Sequence, residues 1–332
     1  LLGLAVGDAL GTAVECMPYG SFEEVTGMRD GGKYNLQSGQ WTDDTSLALC
    51  MAESIIENAG TVDWKDIHQK YRRYYEDGHL TSIGQCFDIG KSTLQGMNRH
   101  KATGDIFSGG TEDFCSGNGS IMRLAPIPML YALKDVNLGI SQSADSSKLT
   151  HGGKYAVDCC KLQGLIIMLF LRGDLSKDEL FSSLSKNISN YEIDLCQEVF
   201  DLLTTDYNSK IFPGDIVNSG FSLKALESAL WAFYHTDSFS SGVLKVVNMG
   251  DDSDTVAAIY GQIAGAYYGL ESIPKEWVDE IAFKALLMAM GEDIYLLAND
   301  KSLETNNLHV YEIFHQMEEE YSKMNRKLNP GP

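Results

Sequence analysis

Apolar residues recur along this chain at the spacing of helices rather than strands. From Thr45 to Ala59, Leu47, Met51, Ser54 and Ile55 fall near one face, while Glu53 and Glu57 fall on another. The same periodicity runs through 155–171, 192–204, 222–235, 255–270, 274–296 and 310–327. No alternating series reads as a strand. The Asn118-Gly119 pair lies in glycine-rich sequence ahead of a proline-containing apolar stretch, not between two strands. The pattern predicts an all-α fold, a single-domain orthogonal helical bundle spanning 1–332. Segments 19–40, 103–120 and 208–219, rich in Gly, Asp, Asn and Ser, read as loops. The last residues, 328–332, read as a frayed tail.

Two of these helices carry glycine at every fourth position: Gly3, Gly7 and Gly11, and Gly261, Gly265 and Gly269. Each glycine weakens a helix by about 1 kcal/mol relative to alanine. Three on one face predict a close backbone approach, with the two faces packed on each other or on something bulky.

Composition narrows the partners. The net charge is −20, and no basic stripe is available to release counterions from nucleic acid or to bind an anionic membrane. Much of this acidity serves solubility. The rest is available to cluster around cations. The hydrophobic fraction of 44% permits a sizeable core. Seven irregularly spaced cysteines with no CxxC pair fit a reducing cytoplasm and no zinc knuckle. Leu1–Leu10 is apolar but carries Asp8 and no basic flank, a poor match to a signal peptide. No run of apolar residues is long enough to predict a membrane span, and Leu162–Leu171 reads as a core helix.

Five segments carry chemistry. Thr42-Asp43-Asp44-Thr45 opens one helix, and Gly250-Asp251-Asp252-Ser253-Asp254-Thr255 opens another. A cap, Thr42 or Asp43 in the first segment, explains one residue in each but not the adjacent acids, which repel unless a cation or proton intervenes. Converging from two helix starts, such side chains supply oxygen ligands only, which selects Mg²⁺, Mn²⁺ or Ca²⁺ over zinc or copper and fits a two-metal site. Ser116-Gly117-Asn118-Gly119-Ser120 leaves backbone N–H groups bare and reads as a phosphate cradle. His151 stands in the Gly-rich turn Thr150–Gly153 ahead of a helix, placed to touch a ligand. Glu15 lies where the first helix gives way to a loop. No nucleophile elbow, Walker loop or dinucleotide fingerprint is present.

Taken together, GLAVGDALGTAVE (3–15), WTDDTSLAL (41–49), FDIGKST (87–93), GNGSIMRLAPIPM (117–129), THGGKYAV (150–157) and the long block 228–269 resemble the ADP-ribosylglycohydrolase family, most closely its bacterial dinitrogenase reductase-activating members. The resemblance implies an all-α fold with a dinuclear Mg²⁺ or Mn²⁺ centre in a central cleft. It implies that Thr42, Asp43, Asp44, Asp252, Asp254 and Thr255 ligate the metals. It implies that Gly117, Asn118, Gly119, Ser120, Met122 and His151 hold ADP-ribose. Glu15, Asp44 and Asp88 are then the catalytic acids, Asp88 on the substrate side and away from the metals. The implied reaction releases ADP-ribose from a modified protein side chain, arginine first. The alternatives are another ADP-ribose linkage, such as serine or a free derivative, and a non-catalytic metal- and ADP-ribose-binding protein. Two departures stand out: Asp251 where the family often has glycine, and Lys91 where its bacterial members carry a small amide. The first bears on metal affinity, the second on substrate identity.

Overall fold

The computed structural model describes residues 1–303 and 307–328, with side chains to 303 and from 307 to 318. Of the expected tail, 329–332 lie outside the described residues. The first half is built from α1 (Leu2–Gly11), α2 (Asp43–Glu57), α3 (Trp64–Asp77), α4 (Lys91–Thr103), α5 (Pro126–Tyr131), α6 (Val136–Lys148) and α7 (Lys154–Arg172). Three short helices follow, α8 (Lys177–Ser182), α9 (Leu184–Asn187) and α10 (Gln197–Phe200). Then come α11 (Ser222–His235), α12 (Phe239–Val247), α13 (Ser253–Tyr268), α14 (Lys275–Glu280), α15 (Lys284–Ala298) and α16 (Leu308–Leu328). Among the described residues there is no strand, only isolated bridges such as Gly117 to Phe221. No described helix is long and apolar enough to cross a membrane.

The glycine faces explain the centre. Every residue of α1 is buried, as is Ser253–Ala264 of α13, so α1 and all but the last turn of α13 are core on all sides. A Cβ on Gly3 would lie 2.3 Å from the Gly261 carbonyl oxygen, one on Gly7 2.1 Å from that of Ala257, and one on Gly11 2.3 Å from Cα of Asp254. The two helices therefore touch backbone to backbone, and the Ser253 hydroxyl ties them further by donating to the Gly11 carbonyl at 2.9 Å. Gly269 takes no part in this contact. It ends α13 with a φ of +79°, a conformation that favours glycine.

Three readings of the pattern are corrected. The 274–296 helix is two, because Phe283 adopts a φ of +45° and the Ala282 N–H donates to the Gly39 carbonyl, leaving the helix ladder between α14 and α15. The 192–204 helix shrinks to α10 and a 3₁₀ turn, with Asp158 accepting from the Cys196 N–H at 2.7 Å just before it. Glu53 does not face water. It is buried, pairing with Lys70 at 2.9 Å and His79 at 2.7 Å.

That last pair belongs to a clasp on α16. His79 also meets Glu318 at 3.1 Å, and Glu318 accepts from the Leu80 N–H at 2.6 Å. Burial opposes a charged His79, but its bonds to Glu318 and Glu53 outweigh burial and raise its pKa above the ordinary 6.5. Burial would raise Glu53 and Glu318, yet their partners bring both down to about 2 from 4.5. The histidine's contribution is complete below 6.5 and is lost as pH rises through its raised value. The carboxylates' contribution is complete above 4.5 and is lost as pH falls toward 2. Hydrogen exchange, corrected for intrinsic rates, is expected to find α16 best protected between these limits. Protection that does not vary with pH would contradict the clasp.

Candidate metal and substrate site

The contact between α1 and α13 has a chemical consequence. It brings Asp8, Glu15 and the start of α13 together at the N-terminus of α2. Asp8 is fully buried and caps α2 from outside the helix. It accepts from the Thr42 N–H at 3.0 Å, the Thr45 N–H at 3.0 Å and the Thr45 hydroxyl at 2.6 Å. The Thr42 hydroxyl lies between Asp8 (2.9 Å) and Asp44 (3.0 Å). Thr42 is the N-cap residue but makes no side-chain cap bond, so the expected capping by Thr42 or Asp43 is supplied by Asp8 instead.

Among the described residues, two groups of three carboxylates result. Oxygens of Asp8, Asp44 and Asp254 all lie within 4.8 Å of one another, and so do those of Glu15, Asp88 and Asp254. Asp254 is common to both. Asp88 is the half-exposed member of the second group. Its separation in sequence does not keep it away from the α13 acids. Asp43 and Asp252 flank the groups. Asp43 accepts from the Gly90 N–H at 3.3 Å, and Asp252 accepts from the Asn118 amide at 2.6 Å.

These acids open onto a cleft of about 240 Å³. Of the residues expected from sequence, Glu15, Asp43, Asp88, Asp252, Asp254 and Thr255 line it, as do Gly117, Asn118, Gly119, Met122 and His151. Thr42 and Asp44 sit just behind its wall, bonded into the Asp8 group. Ser120 does not reach it. Its hydroxyl accepts from Ser147 at 2.8 Å, beneath the loop. The Asn118 N–H also turns away, donating to the Gly220 carbonyl at 2.9 Å. The His151 ring underlies the loop, and a Cβ on Gly119 would come within 2.8 Å of it. His151 bonds Thr150 at 2.7 Å, and the buried Arg123 bonds the same hydroxyl at 2.6 Å. Burial and the Arg123 charge lower the His151 pKa to about 3, so the ring is neutral at pH 7.

Burial raises Asp43, Asp44 and Asp254 well above the usual carboxylate range, and neighbouring acids add to this in each case. It raises Asp252 as well, and Asp8 to about 6 against the bonds from Thr45 and Thr42. Glu15 rises through burial and the charge of Asp88, partly offset by Lys33. Buried like charges at this density need a counter-charge. The oxygens also lack partners: Asp44 Oδ1, Asp254 Oδ1 and Glu15 Oε2 are buried and unbonded. An all-oxygen set with unfilled acceptors suits hard divalent cations, so the residues present fit a metal site.

Asp251 has a plain structural account. It is exposed and has a φ of +51°, in the left-handed region where glycine is at ease and aspartate is tolerated. Its N–H and carbonyl pair with the Met17 carbonyl and the Cys16 N–H at 2.8 and 2.7 Å, joining the two loops that carry Glu15 and Asp252. Lys91 opens α4 at the exposed rim of the cleft.

The all-helical scaffold thus places a buried carboxylate cleft, whose oxygens could hold a divalent cation, beside a glycine loop. The comparisons make the class specific. The ADP-ribosylglycohydrolase family profile matches residues 1–304. The chain is 36% identical over 301 residues to the ADP-ribosylarginine hydrolase Tri1 of Serratia proteamaculans, covering 91% of this chain and 79% of that one. It is 28% identical over 290 residues to the ADP-ribosyl-dinitrogen reductase glycohydrolase of Rhodospirillum rubrum, covering 85% and 89%. A solved structure described as an ADP-ribosylglycohydrolase-related protein complex matches with a TM-score of 0.76 at 34% identity, over 90% of this chain and 95% of that one. The chain belongs to the ADP-ribosylglycohydrolase family. Helix α16 lies beyond the matched span.

Asp8 is the site residue that sequence reading missed as a ligand candidate. Its signal was visible, an acid in the otherwise apolar run Leu2–Gly11.

Proposed function

We propose that this protein hydrolyses the N-glycosidic bond between ADP-ribose and an arginine side chain of a modified protein, with Mg²⁺ or Mn²⁺ in the acidic cleft. The carrying observation is the pair of carboxylate groups that share Asp254 beneath the Gly117–Gly119 loop. The name of the Serratia relative favours arginine. Asp44, Asp254, Asp43 and Asp252, with Thr42 and Thr255, would hold the cations, and Asp8 would orient the first of these. Bound cations supply charge that fixes ribose hydroxyls and lowers the pKa of a water.

The residues divide the remaining work. Glu15 takes the proton of the attacking water. It lines the cleft, whereas Asp44 stands behind the wall, and its raised pKa brings it closer to working pH. Water oxygen bonds to the ribose carbon as the carbon–nitrogen bond breaks toward the guanidine. The already cationic guanidinium leaves as neutral guanidine and then takes up the proton shed by water. Asp88, at the open side, holds the guanidinium through paired hydrogen bonds. The negative cleft stabilises the oxocarbenium character of the ribose. The Gly117–Gly119 loop and Met122, supported by neutral His151, hold ADP-ribose. All seven cysteines are free, which favours the cytoplasm as the place of action.

The test offers arginine-linked and serine-linked ADP-ribosyl peptides with Mg²⁺. Faster release from arginine supports the proposal. Preference for serine would name the other linkage, and binding without turnover would name a non-catalytic protein. A narrower result is expected for Gly119→Leu. Its side chain meets the buried His151 ring, so ADP-ribose affinity should fall by about tenfold or more, while the fold is retained at some loss of thermal stability. Unchanged affinity in calorimetry would count against the loop as part of the ADP-ribose site.

A further inference from the structure

Among the described residues, Lys33 is a cation paired with one of the cleft acids, Glu15. Gly31 and Leu36 close a short loop by exchanging N–H to carbonyl bonds of 2.9 and 2.8 Å. Gly32, with a φ of +72°, sits so close to the Thr12 carbonyl that a Cβ would come within 2.0 Å. The loop is thereby seated on the 3₁₀ turn Thr12–Val14 that leads to Glu15. From this seat Lys33 Nζ reaches Glu15 Oε1 at 3.3 Å and lies 4.6 Å from the centre of the Tyr34 ring. Tyr34 packs edge-on against Phe87, ring centres 5.0 Å apart, next to Asp88 in the chain. The Lys33 side chain is 46% exposed, so solvent is open to it if it is displaced from Glu15. Lys91, by contrast, makes no ion pair among the described residues.

We propose that Lys33 is a tethered competitor for the leaving group, setting how strongly the cleft favours a cationic one. This rests on the arginine reading above. Glu15 and Asp88 stand within 4.8 Å of each other, so a guanidinium held by Asp88 also enters the field of Glu15. The Lys33 ammonium already occupies that field, and two cations there repel. A guanidinium must therefore displace Lys33, at a cost in affinity. A neutral leaving group such as a serine hydroxyl bears no such cost. Lys33 is thus a specificity residue acting through Glu15, not a catalytic one.

The test compares wild type, Lys33→Met and Lys33→Arg on arginine-linked and serine-linked ADP-ribosyl peptides, and titrates each protein with agmatine, a small guanidinium probe, by calorimetry. Lys33→Met should lower KM for the arginine-linked peptide and tighten agmatine by about fivefold, the strength of an exposed ion pair. The arginine-to-serine ratio of kcat/KM should rise with it, through KM rather than kcat. Lys33→Arg keeps the charge and should behave like wild type. Agmatine affinity that stays the same or weakens in Lys33→Met overturns the proposal. Failure of wild type to cleave either peptide would instead remove the functional reading, and the agmatine titration would still report on the competition.

Discussion

Asp254→Asn is expected to abolish turnover and divalent-cation binding together. Asp254 belongs to both carboxylate groups, is buried, and keeps one oxygen free of any protein partner. The substitution preserves shape but removes a charge that hard cations depend on. Loss of turnover should exceed about a hundredfold, in line with removing a central electrostatic element. Asp88→Asn should differ. It stands half-exposed at the open side, so metal content should stay near wild type while arginine-linked peptide suffers and serine-linked peptide suffers less. Metal analysis of both variants decides the division. If Asp88→Asn loses metal as readily as Asp254→Asn, Asp88 is a ligand. Its place in the second carboxylate group makes this a sharp test.

The second large effect is expected at Gly7→Val. The new Cβ would lie 2.1 Å from the Ala257 carbonyl oxygen and 2.5 Å from its carbon, with no flexible side chain to yield. The helices must part. Overpacking of this kind costs about 3 kcal/mol or more, a large share of a typical stability of about 5–15 kcal/mol. The melting temperature should fall by about 4 °C or more, or no folded protein should be recovered. In any folded fraction, metal affinity should fall too, because the same contact sets the distance between Asp8 and Asp254. Scanning calorimetry checks the first effect. A melting temperature within a degree of wild type would disprove the close approach.

These two residues show what could be read from the chain. The glycine spacing pointed to a backbone contact because few other arrangements repay three glycines on one helix face, and the paired acids pointed to cations because like charges do not otherwise share a helix start. Helix 222–235 was legible end to end because its apolar spacing is regular. Asp8 was hidden because its partners, Thr42 and Thr45, are over thirty positions away in sequence and cap a different helix. Helix α3 was passed over although Asp63 caps it, accepting from the Lys65 and Asp66 N–H groups, and Gly78 ends it. Its apolar stripe is only Ile67, Tyr71 and Tyr74 among charged residues. The break at Phe283 was hidden as well, since it depends on a bond to Gly39 that no local pattern records.

The central claim is that glycohydrolysis in this cleft requires divalent cations held by the converged acids. The most direct measurement strips the protein with EDTA, titrates Mn²⁺ back, and follows bound metal and release of ADP-ribose from an arginine-linked peptide in the same samples. The expected result is no release from the stripped protein and recovery in parallel with the binding of about two Mn²⁺ per chain. Full release in the presence of EDTA would contradict the account.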